Sequence, residues 1–262
     1  MEVNAVTILP AGTTASWPCR SCRDRAWTPS NLLRVYGERS FDLGGVSGEG
    51  RTLSAFLSQP DPSAYIFDPL ASPTDPLLAD YGFPPGAPAS QHLDYLHHLT
   101  TMEALRPRFR WFLLGVQGSG FTCHQDPHGT CAWNALIYGR KRWACLPPST
   151  PLRQVFPGWE GAAGEDLPAR YATAAAWFAH ALPQLQAAAA PGLTVFEQEE
   201  GEVVLLPANH WHCCITTSPV STGVTHNFMS REGFARELAK LPAASPLASA
   251  WRERVEGAGL PL

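Results

Sequence analysis

Polar side chains recur every second residue inside a segment that is otherwise suited to β-structure, "FTCHQDPHGTCAWNALIYGRKRW", residues 121–143. Because successive side chains of a strand point to opposite faces, His124 and Asp126 share one face, about 7 Å apart along the backbone. Two such groups can bind one metal ion. A surface histidine followed by a turn-forming Asp-Pro pair would give the same short pattern, so both interpretations stay open at this point.

A second β-type segment, "GEVVLLPANHWHCC" (residues 201–214), places His210 and His212 on one face with the same period. Either histidine could add to the first pair and complete two histidines and one carboxylate, the set that holds non-haem Fe(II) and leaves three coordination positions open. A structural zinc site would need four ligands, usually with cysteine. The pairs Cys19/Cys22 and Cys213/Cys214 keep that alternative open, although no second C-x-x-C motif completes it.

The segment "NALIYGRKRWACL" predicts a hairpin that turns at Gly139 and Arg140. In that register Asn134 and Lys141 lie on one face among bulky apolar residues. A lysine that faces an apolar interior requires an anion, because an unpaired buried ammonium group costs several kcal/mol. The anion could be a bound ligand. The alternative is a solvated basic turn in which the whole "GRKR" stretch reaches water.

Composition restricts the function and the compartment. The chain of 262 residues is 45% hydrophobic, enough for one large core, and its net charge of −4 provides no general attraction to nucleic acid. The seven cysteines are an odd number and are not spaced as a disulfide framework. With no long apolar run for a membrane span and no basic, apolar leader at the N-terminus, a nuclear or cytoplasmic protein that is not secreted is expected.

The pattern along the chain predicts one domain over residues 1–262. Residues 27–100 indicate mixed α/β structure and residues 101–230 a β-core, with an alanine-rich helical insertion at 158–192 that is interrupted at Pro183. Residues 231–262 indicate two closing amphipathic helices.

These segments resemble the Jumonji C (JmjC) family of Fe(II)- and 2-oxoglutarate-dependent oxygenases, and most closely its lysyl hydroxylase and arginine demethylase branch, which is phosphatidylserine-receptor-like. The resemblance runs from "WTPSNLL" at residue 27 to "THNF" at 228 and is densest in "HQDPHGTCAWNALIYGRKRW" and "GEVVLLPANHWH". It implies that His124, Asp126 and His212 are the iron ligands and that His210 stands beside them. It implies that the cosubstrate site contains Lys141, which pairs with the distal carboxylate of 2-oxoglutarate, and Thr225, Asn134, Tyr65 and Asn227.

The resemblance implies a mainly β fold, a double-stranded β-helix (a cupin-like jelly roll) with flanking α-helices. The implied cofactors are Fe(II), 2-oxoglutarate and O₂, and the implied reaction is hydroxylation of a protein side chain, lysine before arginine, with release of succinate and CO₂. The alternatives are demethylation of N-methyl arginine or lysine, hydroxylation of a modified RNA base, and a non-catalytic cupin-like scaffold. The sequence predicts no oligomeric state.

Two further features could favour a substrate with a basic segment. An acidic run, Glu197, Glu199, Glu200 and Glu202, could attract it, and Trp111 and Trp211 could cover the aliphatic stem of its target residue. The alternatives are a solvated turn for the glutamates and core positions for the tryptophans.

Overall fold

The computed structural model describes residues 3–44, 50–87, 94–99, 108–159, 161, 167–242 and 244–262. The strands are β1 Thr7–Leu9, β2 Ser40–Asp42, β3 Gly50–Thr52, β4 Tyr65–Pro69, β5 Arg110–Val116, β6 Gly120–His124, β7 Cys131–Tyr138, β8 Lys141–Leu146, β9 Thr194–Gln198, β10 Val203–Leu206, β11 Trp211–Thr216 and β12 Val220–Phe228. The α-helices are α1 Pro18–Ser21, α2 Pro29–Tyr36, α3 Leu53–Ser58, α4 Tyr95–His98, α5 Leu152–Val155, α6 Ala174–His180, α7 Leu182–Ala187, α8 Arg231–Lys240 and α9 Pro246–Gly257.

Two antiparallel sheets form the body of the protein. The larger sheet has the strand order β1-β10-β7-β12-β5-β4, and the smaller has the order β6-β11-β8-β9, while β2 and β3 form a separate hairpin. Apolar side chains from both sheets meet in the space between them, among them Ala132 and Leu206 from the larger sheet and Trp143 and Cys214 from the smaller. This arrangement is the jelly roll with flanking helices that was predicted, so the predicted fold class is confirmed.

The predicted hairpin of β7 with β8 is wrong. Strand β7 pairs with β10 and β12, whereas β8 pairs with β11 and β9, so the two strands belong to different sheets. Gly139, with φ of 89°, does reverse the chain, but it leads β7 of one sheet into β8 of the other. In the observed register Asn134 lies opposite Val204 and Thr225, and Lys141 lies opposite Thr216 and Gln198.

The N-terminal segment covers the outer face of the larger sheet. Helix α2 begins after Thr28, whose hydroxyl accepts a hydrogen bond from the Asn31 backbone N–H at 3.4 Å and so caps the helix. Trp27 and Phe41 pack against Phe112 of β5, with ring centroids 5.2 and 5.3 Å apart. These large side chains are almost fully buried, and each stabilises the packing by about 1.5–3 kcal/mol on general grounds.

The alanine-rich insertion covers the outer face of the smaller sheet. Its helices α6 and α7 are separated just before Pro183, the second residue of α7, as the sequence predicts. Trp177 is fully buried and donates from its indole N–H to the Val155 carbonyl at 2.9 Å. The insertion also contacts the smaller sheet by hydrogen bonding, because the Thr122 hydroxyl of β6 donates to the Tyr171 carbonyl at 2.6 Å. Residues 160 and 162–166 of the insertion lie outside the described residues.

Two helices follow the last strand. Helix α8 begins after Ser230, whose hydroxyl accepts from the Gly233 backbone N–H at 3.1 Å. Phe234 of α8 stacks on Trp251 of α9 at 5.9 Å between ring centroids and also contacts Tyr95 of α4. Among the helices described, none has both the length and the apolar character needed to cross a bilayer. The assignment of residues 1–262 to one domain and the predicted compartment remain predictions from the sequence.

Candidate active site

Three side chains that the sequence singled out converge between the sheets. His124 is the last residue of β6, Asp126 follows two residues later, and His212 of β11 lies directly opposite His124 in the strand pairing. The His124 and His212 Nε2 atoms lie 3.6 and 3.8 Å from Asp126 Oδ1. One ligand atom from each residue lies within 4.8 Å of the others, a spacing that suits a single metal ion. We call these three residues the metal cluster.

Backbone carbonyl groups orient both histidines of the metal cluster. His124 Nδ1 lies 2.8 Å from the Thr122 carbonyl oxygen, and His212 Nδ1 lies 3.0 Å from the His210 carbonyl oxygen. Because a carbonyl oxygen can only accept, each Nδ1 carries a proton, and Nε2 is the nitrogen of each ring that faces Asp126. Burial, together with the nearby His124, lowers the pKa of His212 to about 4, so that this ring is neutral near pH 7. A neutral imidazole is the form that binds metal.

The carboxylate of the metal cluster is held in its charged form. Burial raises the pKa of Asp126 and is the largest single effect, but His212, His124 and a hydrogen bond from Asn227 together outweigh it, so that the pKa lies below its ordinary value. The Asn227 amide also donates to the Thr130 hydroxyl at 2.8 Å. Asn227 therefore connects the loop that carries Asp126 to β12.

His210, the other histidine of the second motif, lies outside the metal cluster. Its Nδ1 is 3.4 Å from the Ala208 carbonyl oxygen, and its side chain is half-buried in the loop before β11. The structure therefore brings His212, and not His210, to His124 and Asp126.

Lys141 points into the protein and not into a solvated turn. It is 1% exposed, and its Nζ donates to the Tyr65 hydroxyl at 3.0 Å. Burial lowers its pKa, and among the described residues no carboxylate forms an ion pair with it. The expectation of an inward lysine therefore agrees with the structure, although the hairpin from which it was argued does not form.

A cavity of about 260 Å³ lies between the sheets and connects these groups. The metal cluster, Tyr65, Asn134, Thr225 and Asn227 all line it. Thr225 donates to the Trp133 carbonyl at 3.0 Å and lies directly opposite Asn134, whose side-chain oxygen is buried and has no hydrogen-bond partner in the described part of the chain. The larger sheet therefore contributes four of the five predicted cosubstrate residues to the cavity. The fifth, Lys141, is connected to the cavity through its hydrogen bond to Tyr65.

Aromatic rings form one wall of the cavity. Phe67 stacks on Trp111 with ring centroids 5.0 Å apart and contacts Phe121 at 5.0 Å, and Phe121 in turn lies 4.6 Å from the His124 ring. We call Phe67, Trp111 and Phe121 the aromatic wall. Trp111 was predicted from the sequence as a possible substrate contact, but neither phenylalanine was. The signal for Phe67 was available, because it is two residues after Tyr65 on the same strand and so shares its face.

The other features that were expected to favour a basic substrate lie elsewhere. Trp211 packs against Phe156 of the insertion at 5.9 Å, so that it belongs to the core outside the smaller sheet. Three of the four glutamates of the acidic run are already paired, since Glu197 lies 3.7 Å from Arg142, Glu199 lies 2.8 Å from Arg140, and Glu200 lies 3.7 Å from Arg20. The run lies beside the Lys141 end of β8, whereas His212 pairs with Cys145 near its other end, so it does not border the metal cluster.

The residues present fit Fe(II) and 2-oxoglutarate, the two groups that the sequence resemblance implies. Two imidazoles that turn their Nε2 atoms towards one ionised carboxylate match the donor set of a non-haem iron site that keeps open positions. A buried lysine that has no acidic partner among the described residues is a group whose charge an anionic ligand in the cavity would offset.

The fold and the metal cluster together define a cupin-type jelly roll with a two-histidine, one-carboxylate metal site. Residues 111–228 match the family model described as JmjC domain, hydroxylase, so this part of the chain is a domain of the JmjC family.

Curated relatives support this assignment. The chain is 31% identical to lysine-specific demethylase JMJ21 of Arabidopsis thaliana over 242 residues, which cover 87% of this chain and 23% of that protein. It is 27% identical to the bifunctional arginine demethylase and lysyl-hydroxylase psr-1 of Caenorhabditis elegans over 267 residues, covering 95% and 62%, respectively. It is 27% identical to arginine-specific demethylase JMJ22 of Arabidopsis thaliana, in a match that covers 94% of this chain and 47% of that protein. The chain thus spans less than two thirds of the length of each of these relatives.

Proposed function

We propose that the protein is an Fe(II)- and 2-oxoglutarate-dependent dioxygenase that hydroxylates a protein side chain, with lysine as the preferred target. The observation that carries the proposal is one cavity that holds the metal cluster and is lined by Tyr65, the hydrogen-bond partner of the buried Lys141. A metal site alone would fit many functions. A metal site with a buried cation nearby fits a metal-bound cosubstrate that carries a second carboxylate.

The metal cluster would hold Fe(II). When bound, iron, 2-oxoglutarate and O₂ supply the oxidising chemistry that converts a substrate C–H bond to C–OH, with release of succinate and CO₂. The chain's own residues orient the metal ligands and exclude water. Thr122 and His210 fix the two imidazoles through their carbonyl groups, and Asn227 holds the Asp126 carboxylate.

Lys141 would bind the far carboxylate of 2-oxoglutarate. It lies opposite Thr216, which is four residues from His212 on the same face of β11, about 13 Å along the strand. The lysine side chain reaches the hydroxyl of Tyr65, and Tyr65 lines the same cavity as the metal cluster. A short dicarboxylic acid bound at the metal would extend through this cavity towards Lys141. Asn134 and Thr225 would contact the same molecule from the larger sheet.

The aromatic wall would receive the substrate side chain. Flat rings cover the aliphatic stem of a lysine and attract its ammonium group, which is worth about 0.5–2 kcal/mol per contact. Among the described residues that line the cavity there is no arginine, so its lining adds no support for an RNA substrate. The lysyl-hydroxylase name of one relative agrees with a lysine target.

The direct test incubates the protein with Fe(II), 2-oxoglutarate, O₂ and a library of lysine- and arginine-rich peptides, and follows succinate and peptide mass together. We expect succinate to form with a gain of one oxygen on lysine, and both signals to vanish in Asp126→Ala. Modification of RNA alone would refute the protein substrate. No succinate under any condition would favour a non-catalytic scaffold.

Removal of a methyl group is the second candidate, and the names of JMJ21, JMJ22 and psr-1 favour it. Oxidation of an N-methyl carbon releases formaldehyde and lowers the peptide mass by one methylene unit. The same assay with methylated arginine and lysine peptides separates the two outcomes, since lysine hydroxylation produces no formaldehyde.

A further inference from the structure

The loop that carries Asp126 has a costly backbone conformation. His128 and Gly129, two and three residues after Asp126, both lie in the left-handed region, with φ of 58° and 55°. For a residue with a side chain, such as histidine, this region costs roughly 1–2 kcal/mol. The opposing loop before β11 has a similar feature at Asn209, with φ of 59°. Such conformations persist only where surrounding contacts hold them in place.

The two loops brace each other directly. Gln125, the residue between His124 and Asp126, donates from its amide to the Asn209 carbonyl at 2.5 Å. A Cβ atom added at Gly129 would lie 3.5 Å from the Asn209 side chain, so the two residues are in close contact. This bracing holds the ends of the loop but does not reach the His128 side chain.

Helix α8 supplies a group that contacts the His128 side chain. Glu237 is only 7% exposed, and its Oε2 lies 3.6 Å from His128 Nδ1. Its other oxygen faces Gly129, at 3.6 Å from the position of an added Cβ. Lys240, one turn further along the helix, contacts the same carboxylate. A carboxylate loses hydration when it is buried in this way, and its protein contacts must offset that loss.

We infer that Glu237 is a positioning residue for the metal cluster, which it affects through His128 and the loop of Asp126. The inference rests on the proposed metal site, and it adds a group from beyond residues 111–228, the part of the chain that matches the family. Partners that orient a metal ligand from outside commonly change metal affinity by 10- to 100-fold when they are removed.

A merely structural role for Glu237 predicts a different result. If the carboxylate only fastened α8 to the protein, its loss would lower the melting temperature and leave the metal affinity of the folded protein unchanged. If it positions the loop, metal affinity falls in protein that is still folded, and the effect disappears once the His128 side chain is absent.

The experiment titrates Co(II) alone into the full chain and follows its visible absorption, with the melting temperature recorded for each variant. We expect Glu237→Ala and His128→Ala each to raise the Co(II) dissociation constant by roughly 10-fold or more, and the double variant to be no worse than the single ones. The control is Glu253→Ala, which removes the same charge from an exposed position on α9 and should bind Co(II) like the wild type. His128→Ala keeps the test valid if Glu237→Ala fails to fold, because His128 is nearly half exposed.

Unchanged Co(II) affinity in folded His128→Ala or Glu237→Ala would overturn the inference, and so would additive losses in the double variant. Those outcomes would leave the proposed oxygenase intact, because the wild type would still bind the metal. Failure of the wild type to bind Co(II) would instead refute the metal site, and the inference with it.

Discussion

Replacement of Lys141 by methionine should change stability and cosubstrate binding in opposite directions. The side chain is 1% exposed, its charge has no acidic partner in the described structure, and its one hydrogen bond goes to Tyr65. An apolar residue of similar length removes the cost of burying that charge; replacement of a buried ion pair by apolar residues stabilises proteins by about 1–4 kcal/mol, and we expect a gain on the same scale here. Loss of the hydrogen bond to Tyr65 costs about 1 kcal/mol and offsets part of that gain in stability. The ligand-free variant should therefore be more stable than the wild type by between zero and about 3 kcal/mol.

The same replacement should weaken binding of 2-oxoglutarate. A hydrogen bond between a charged donor and a carboxylate contributes about 1.5–3 kcal/mol, which corresponds to roughly 10- to 150-fold in the dissociation constant. Saturating 2-oxoglutarate should consequently raise the melting temperature of the wild type much more than that of the variant.

The stability difference should also depend on pH. Burial lowers the pKa of Lys141 from 10.5, so the unfolded chain holds the proton more readily than the folded protein does. The resulting penalty on folding is fully present below the folded pKa and decreases as the pH rises towards 10.5. The advantage of Lys141→Met over the wild type should shrink over the same range.

The measurements are urea unfolding between pH 7 and 10 and calorimetric titration of 2-oxoglutarate into protein loaded with Mn(II). Arg142→Met is the matched control, because Arg142 is the next residue, is half-exposed, and lies 3.7 Å from Glu197 in a surface ion pair. A Lys141→Met protein that is clearly less stable than the wild type and still binds 2-oxoglutarate normally would refute the reasoning.

Three other predictions test separate parts of the structure. Alanine at any position of the metal cluster should abolish Co(II) binding and turnover, whereas His210→Ala should retain most of the metal affinity; the reverse result in a Co(II) titration would show that the ligand histidine is misassigned. Gly44→Ala would place a Cβ atom 2.9 Å from the Cβ of Phe67 in the aromatic wall, so it should raise KM for the peptide with little change in Co(II) affinity. The control is Gly12→Ala, whose added Cβ would have no atom within 4 Å and should change neither KM nor Co(II) affinity. Equal KM values for the two variants would contradict this. Burial raises the pKa of Asp94 to about 7, so the wild type loses stability as the pH rises from about 4 through 7. Asp94→Asn should therefore be more stable than the wild type at pH 8 and similar to it at pH 4. An equal difference at both pH values in urea unfolding would show that the titration of Asp94 is not the cause.

The site was accessible from the sequence where its residues are close together in one strand or in a recognisable motif. His124 and Asp126 are two residues apart, and the period of two brought His210 and His212 into consideration together. The choice between those two histidines came from the family resemblance, because both have the same spacing and would share a face. The structure separates them, since only His212 lies within β11 and opposite His124.

Strand pairing and long-range contacts were beyond the reach of such reasoning. A glycine turn between two β-segments looks the same in sequence whether the strands pair or enter different sheets, which is why the β7–β8 hairpin was wrongly predicted. Nor does any local pattern show that Glu200 meets Arg20, or that Glu237 reaches a loop more than a hundred residues earlier. Contacts of that kind depend on how the finished sheets and helices pack.

The strand order of the larger sheet has a consequence for anyone who expresses part of this chain. Both of its outermost strands, β1 and β4, come from the first 70 residues, whereas the family match begins at residue 111. A fragment trimmed to that match would turn β10 and β5 into open edges and would uncover the apolar surface around Trp133 and Phe112. Open edges beside exposed apolar surface promote aggregation. The smallest useful expression unit should therefore retain the N-terminal strands, although they lie outside the recognised boundaries of the family.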